Sequence, residues 1–559
     1  MIPKRSPNYR ILRNILSKIR QIDFTEDVSY IIIYAFLYKY ASDILKDYLM
    51  SVLSDKGVTL YEAYKNKGFM ELFRNESLEM FGYFINDSDF FIDEVINSSY
   101  ADRFFIYRFF DAFTEHVEFA NISNYGKYFN FIFDAVKSEI NLKKFEFEGE
   151  NHLIVKEIIY AISQLDVLEK DCPYEDVFNI ICTSRLIRVE RDPEYVTQIL
   201  AEIISRSEID IENIYSPFLN DGSSLISLKN NLCWHNSYGK SSEKITYCAS
   251  IVKLFINDFD LDEVFLEFSS PFESVDINAA SFDAIISKIP NITPKNIKRL
   301  NRSQNIERVR KSKRKQLLNV LADDFAVDGE SLLRDAEFNS AIDNLINKMD
   351  LEKEAKLDFH GEYEVLKDSE YLFLINLINS LKSGGIMVLS MSQSFLFKNS
   401  LETLRKYLTV EKNYIDAIIS LPDEFSRPRA SDIIVIFKKN RKSDNIVFVD
   451  MSKNYDTVRM PITVPGTFRK NLLFSKHSIE KVADVLSKRK VVERFSNVVS
   501  LNELVKNDFN LAISRYVDTF EGEFISLDDL AKQKKEIDEN LVKLNKKIDV
   551  MMSDLNIRF

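Results

Sequence analysis

Apolar residues in the first part of the chain recur every three to four positions. Tyr30-Ile-Ile-Ile-Tyr-Ala-Phe-Leu-Tyr-Lys-Tyr-Ala-Ser-Asp43 and Arg103-Phe-Phe-Ile-Tyr-Arg-Phe-Phe110 are the clearest cases, and this is the spacing of an apolar helix face. Glycine and proline are sparse there, so residues 1–165 are expected to form a helical amino-terminal domain. From 166 to 490 short apolar runs alternate with helical segments, which predicts an α/β domain with a mostly parallel sheet. The expected strands are Glu263–Phe268, Phe282–Ile286, Gly385–Ser390, Ile415–Ser420, Asp432–Phe437 and Asn445–Asp450. Residues 491–559 form a last segment in which Ile537, Leu541, Leu544, Ile548, Met551 and Leu555 repeat at steps of four and three, the spacing of a coiled-coil seam. That helix either meets a partner or folds back on its own domain.

Composition narrows the class. The chain has 559 residues, 45% of them hydrophobic, enough for two or three domains with sizeable cores. The longest apolar stretch, near Tyr30 to Tyr38, is short and soon interrupted, and no apolar leader follows Met1, so the expectation is a cytoplasmic protein with no membrane partner. Cys172, Cys182, Cys233 and Cys248 form no C-x-x-C pair and the five histidines are scattered, so neither a metal site nor a disulfide framework is expected. A net charge of -12 opposes a surface that grips nucleic acid everywhere. It permits a local basic patch. Lys295 to Lys315 holds one, with Lys298, Arg299, Arg302, Arg308, Arg310, Lys311, Lys313, Arg314 and Lys315. Phosphate contact makes this stretch the candidate DNA-binding element, and a solvated loop without a partner is the other reading.

The candidate chemistry centres on Phe282-Asp-Ala-Ile-Ile-Ser-Lys288-Ile289-Pro290-Asn291. The run to Ile286 suits a strand buried on both faces, with Lys288-Ile289-Pro290 as the turn at its carboxyl end, where such sheets bind ligands. The segment resembles the Phe-Asp-x-x-x-x-Asn-Pro-Pro-Phe motif of N6-adenine DNA methyltransferases, specifically the modification subunits of type I restriction-modification systems. Lys288 stands at the motif's Asn, Ile289 at the first Pro, Pro290 at the second and Asn291 at the aromatic. The resemblance implies an enzyme that flips adenine from the duplex, accepts hydrogen bonds from its amine and stacks the base on the aromatic ring. An ammonium carries three donors and no acceptor, its charge opposes the cation that develops during methyl transfer, and Asn291 offers no ring. The chemistry reads as removed.

Other blocks carry the same resemblance in order. Phe36-Leu-Tyr-Lys-Tyr-Ala-Ser-Asp43 is similar to a Phe-Leu-Lys-Tyr-Leu-Ser-Asp segment of the family's helical domain. Leu381-Lys-Ser-Gly-Gly-Ile-Met-Val-Leu-Ser390 resembles Leu-Lys-Pro-Gly-Gly with its strand, Ile415-Asp-Ala-Ile-Ile-Ser-Leu-Pro422 resembles Asp-Ala-Ile-Ile-x-Leu-Pro, and Ile446–Ser452 resembles the closing strand. Leu511-Ala-Ile-Ser-Arg515-Tyr516-Val517-Asp518-Thr519 resembles the Leu-Asn-Ile-x-Arg-Tyr-Val-Asp-Thr signature. The implied architecture is a Rossmann-like class I methyltransferase sheet domain with a helical amino-terminal domain and a helical, coiled-coil tail.

The family's cofactor is S-adenosylmethionine, and the positions implied to hold it are degenerate. The glycine-rich first loop reads Ser216-Pro217-Phe218-Leu219-Asn220-Asp221-Gly222-Ser223, with Ser216 at the acid and Asn220 and Ser223 at glycines. Pro217 and Gly222 are kept. The ribose carboxylate position is Ser241, the position after the third strand is Ser270, and of a Phe-Tyr-Thr-Pro element only Pro193 remains. The expectation is therefore a modification-subunit-like protein without cofactor and without catalysis, DNA-associated but nonspecific alone. Its partners would be a specificity-type subunit on the carboxyl-terminal helix, with a nuclease subunit or a second modification subunit as further candidates. An active adenine methyltransferase working with a specificity subunit, and a protein-interaction scaffold that never touches DNA, are the alternatives. After the sheet domain about seventy residues remain, too few for a base-reading domain as well as the tail.

Overall fold

The apolar stretch at Tyr30 lies inside a long helix, Glu26–Leu53, in a computed structural model that describes residues 6–22, 26–140, 150–183, 189, 191–207, 209–269, 282–289, 373–422, 432–453, 455–461, 468–518 and 527–554. Val28–Leu53 has the length and apolarity to cross a membrane, contrary to the expectation of a short stretch, because the helix runs on through Lys39, Ser42 and Asp43; 89% of its most apolar window is buried inside the protein. It is a core helix. Tyr34 donates to Phe110 O at 2.8 Å, Tyr38 stacks on Phe113 at 4.5 Å, and Tyr174 donates to Phe36 O at 2.8 Å. Each of these three phenols keeps a partner for its hydroxyl, Phe90 O in the case of Tyr38, while its ring fills the core.

Thirteen strands are described, in chain order. β1 (Tyr83–Ile85) and β2 (Val117–Phe119) form a small antiparallel ribbon among the helices, and β11 (Asp456–Pro461) and β12 (Phe468–Leu473) form a hairpin. The other nine make one sheet: β3 (Asn213–Ser216), β4 (Asn236–Ser241), β5 (Val264–Phe268), β6 (Phe282–Lys288), β7 (Leu381–Ser392), β8 (Ile415–Ser420), β9 (Asp432–Lys438), β10 (Ile446–Asp450) and β13 (Ser496–Val499). Their order is β13-β10-β8-β9-β7-β6-β3-β4-β5. Five of the eight neighbouring pairs are parallel, and β9 runs antiparallel to both its neighbours. The sheet extends past residue 490, because β13 closes its edge against β10.

Side chains alternate between the two faces. Ile214, Ala284, Ile286, Ile386, Val388 and Ala417 join the core shared with the amino-terminal helices, while Tyr215, Ile285, Met387, Leu389, Ile418 and Val435 join a second core. The helix Glu194–Ser205 lies over β6 and β7. Tyr128 ties the helical region to the edge strand: its hydroxyl donates to Val264 O at 2.5 Å and accepts from Leu266 N–H at 2.8 Å. The connections leave β3 and β6 in opposite directions across the sheet, so the switch point where open α/β sheets bind ligands falls at the carboxyl ends of these two strands.

Candidate active site

Lys288 ends β6 as a strand residue. The expected turn begins one residue later, because Lys288 pairs with Ser390 of β7 and the Ile289 N–H donates to Ser390 O at 2.7 Å. Its Nζ lies 2.9 Å from Asp432 Oδ2, the first side chain of β9, and the two side chains are 18% and 13% exposed. Lys288, Ser390 and Asp432 stand on adjacent strands and, by the alternation, on the face under the helix Glu194–Ser205. Ile289 is buried. Pro290, Asn291, Ser270 and the basic positions Lys298, Arg299, Arg302, Arg308, Arg310, Lys311, Lys313, Arg314 and Lys315 lie outside the described residues.

The first loop is filled by its own polar side chains. Ser216 ends β3 fully buried, and Pro217 leads into Phe218, whose N–H donates to Ser287 Oγ at 3.1 Å while Ser287 Oγ donates to Phe218 O at 2.9 Å. Asn220 adopts φ +47° and donates its side-chain amide to Asp192 Oδ1 at 2.7 Å. Ser224 donates to Asp192 Oδ2 at 2.9 Å. Beside them Lys253 Nζ meets Asp221 Oδ2 and Ser223 Oγ, each at 2.6 Å, in a buried ion pair. Gly222 holds φ +79° at the start of the helix Ser223–Lys229, and a Cβ there would touch Leu254 at 3.4 Å. Burial pushes the Asp192 carboxyl up to about 7, with Asp221 adding to the rise while Asn220, Ser224 and Lys288 oppose it.

Pro193 is half-buried and precedes the helix Glu194–Ser205. Ser241, at the ribose position, is buried and donates to Glu243 O at 3.4 Å. The structure therefore brings Ser216, Pro217, Asn220, Gly222 and Lys288 to one end of the sheet, with Pro193 following Asp192. Sequence reasoning overlooked Asp192, Lys253 and Asp432. Asp192 directly precedes the retained Pro193, and Asp432 opens an otherwise apolar strand, so an acid at a strand end was the available signal.

This geometry is that of an α/β domain, a mostly parallel sheet packed against helices. A family profile described as N-6 DNA methylase matches residues 335–523. That stretch of the chain is similar to the N-6 DNA methylase family. Among its relatives, the type I restriction enzyme MpnII methylase subunit of Mycoplasma pneumoniae is 28% identical over 195 residues, 34% of this chain and 34% of that protein. The type I restriction enzyme MjaVII methylase subunit of Methanocaldococcus jannaschii is 35% identical over 126 residues, 22% of this chain and 21% of that protein. The matched stretches thus span about a third or less of these relatives. In fold, the chain is similar to a type I restriction-modification methyltransferase subunit from Streptococcus thermophilus, with TM-score 0.66 and 17% identity over 91% of this chain and 99% of that one. It is also similar to a modification subunit of a putative type I restriction enzyme from Vibrio vulnificus, with TM-score 0.51 and 11% identity over 89% and 93%. The profile match begins at residue 335, so the first loop and Lys288 lie amino-terminal to it.

Proposed function

We propose that this N-6 DNA methylase relative is a noncatalytic, modification-subunit-like component of a cytoplasmic restriction-modification or defence complex. The carrying observation is the Lys288 ammonium paired with Asp432 at the end of β6, a donor where the reaction needs an acceptor for the adenine amine. The residues present do not fit S-adenosylmethionine: Asn220 and Ser224 spend their hydrogen bonds on Asp192, and Ser241 replaces the ribose carboxylate. In this reading residues 1–165, 166–490 and 491–559 are the helical, sheet and tail units. DNA is held through the stretch Lys298–Lys315, and a specificity-type subunit docks on the helix Leu527–Asp554. That helix carries Leu530, Ile537, Leu541, Leu544 and Ile548 exposed, which supports a docking role.

Titration of the full chain with S-adenosylmethionine in a calorimeter tests the reading. No binding is expected, and a micromolar dissociation constant with full stoichiometry overturns it. The likeness in fold to a type I restriction-modification methyltransferase subunit favours the second reading, an active adenine methyltransferase. Methyl transfer to DNA in the presence of candidate specificity subunits is its test, with none expected.

A further inference from the structure

The apolar seam of the tail helix is interrupted once. From Leu527 to Met551 the steps alternate between three and four only if Lys534 is counted with Leu527, Leu530, Ile537, Leu541, Leu544, Ile548 and Met551, so Lys534 is the sole charged residue at the eight seam positions of the helix Leu527–Asp554. Leu527, Lys534, Leu541 and Ile548 then hold the a positions of a heptad repeat and Leu530, Ile537, Leu544 and Met551 the d positions. Leu530, Ile537, Leu541, Leu544 and Ile548 are each about half exposed, and Lys534 stands exposed between Leu530 and Ile537. The flanking e and g positions around it, Ala531, Gln533, Asp538 and Asn540, hold a single acid and no base, so the rim of the seam adds little charge selection of its own.

A second copy of this chain does not satisfy that residue. In a parallel pair each Lys534 would enter a hole made by Leu530, Gln533, Lys534 and Ile537 of the other copy, where two ammonium groups meet and no carboxylate is present. In an antiparallel pair that sets Leu541 against Leu544 and Ile548 against Ile537, Lys534 faces Met551. A charge taken out of water without an ion partner is strongly unfavourable, and one polar residue at an a position, set against the wrong helix, rejects it. We infer that Lys534 is the specificity determinant of the tail: it keeps two copies of this chain apart and selects a partner helix that carries a carboxylate at the facing seam position. The inference rests on the docking role proposed for this helix and gives its partner a chemistry.

The test uses the full-length protein. In sedimentation velocity the wild type is expected to be a monomer, whereas Lys534→Leu should dimerise with a dissociation constant at least about tenfold below any shown by the wild type. Fluorescence anisotropy with labelled peptides of residues 527–554 then probes the partner. Beside the natural sequence, one peptide carries Lys534→Glu, which faces the ammonium in a parallel pair, and another Met551→Glu, which faces it in the antiparallel pair. One of the two acidic peptides should bind the wild-type chain about tenfold more tightly than the natural peptide, and that advantage should vanish against the full-length Lys534→Glu variant. Self-association of the wild type as tight as that of Lys534→Leu overturns the inference, as does a leucine variant that stays monomeric or the lack of a preference for either acidic peptide. Pairing without discrimination by charge sinks this inference and leaves the docking role standing; if neither the leucine variant nor any peptide associates, the docking role falls with it.

Discussion

A carboxyl group deprived of water favours its neutral form, and Asp192 is the case in this fold. Its carboxyl is pushed up to about 7, chiefly by burial, against about 4 in an unfolded chain. The folded protein therefore holds one more proton than the unfolded chain between these values, and stability falls as pH rises from about 4 to about 7 and is flat above. Asp192→Asn keeps an acceptor for Asn220 and offers an amide to Ser224. It should remove that slope and stabilise the protein at pH 8, with an upper bound of about 4 kcal/mol for three pKa units. Urea unfolding of both proteins at pH 5 and pH 8 measures it. A variant less stable than wild type at pH 8 would mean that the ionised carboxylate, held by Lys288, is the form the fold needs.

At the scale of elements, the Gly384-Gly385 pair illustrates how a motif becomes geometry. Both residues fall inside β7, where Gly384 adopts φ +82° and a Cβ on Gly385 would lie 2.9 Å from Asp283 O and 2.8 Å from the Leu381 side chain. Gly385→Ala should therefore cost about 1–3 kcal/mol through overpacking against β6, whereas Lys382→Ala next to it should cost less because its ion pair with Asp283 is a third exposed; thermal melts of the two variants compare them. The strands legible in sequence were mostly buried apolar runs: Ile415–Ser420 is as expected, and Phe282–Lys288 is longer by its last two residues, whereas the polar run Asn236–Ser241 of β4 was not among those expected. Less legible was anything set by a neighbouring strand. Lys288 extends β6 because Ser390 pairs with it, and its carboxylate partner, Asp432, lies 144 positions away in an antiparallel strand. Spacing along one chain segment encodes periodicity; it does not encode which side chains converge from four strands.

For the molecule as a whole, charge and exposed apolar surface decide what it can hold. Leu541 is 52% exposed on the tail helix, so Leu541→Asp should change the melting temperature little, by the rule that surface substitutions fall within about 0.5 kcal/mol. It should nevertheless abolish co-purification with a specificity-type subunit, and a tail that pairs with its own domain would instead show a clear loss of stability. Affinity for DNA has a different source. With a net charge of -12, the protein repels a polyanion except where cations cluster, so in the proposed reading DNA binding would run through Lys298, Arg299, Arg302, Arg308, Arg310, Lys311, Lys313, Arg314 and Lys315. Each phosphate contact releases counterions and steepens the fall of log affinity with log salt by about 0.9. Replacing Arg308, Arg310 and Lys311 by serine should therefore flatten the slope by roughly two to three units and weaken binding equally on unrelated sequences. Fluorescence anisotropy on two unrelated duplexes across a salt series makes the measurement. A wild-type protein with no salt-dependent binding would remove DNA from its partners and leave the scaffold reading, and a loss confined to one duplex would mean that these residues read bases as well as phosphates.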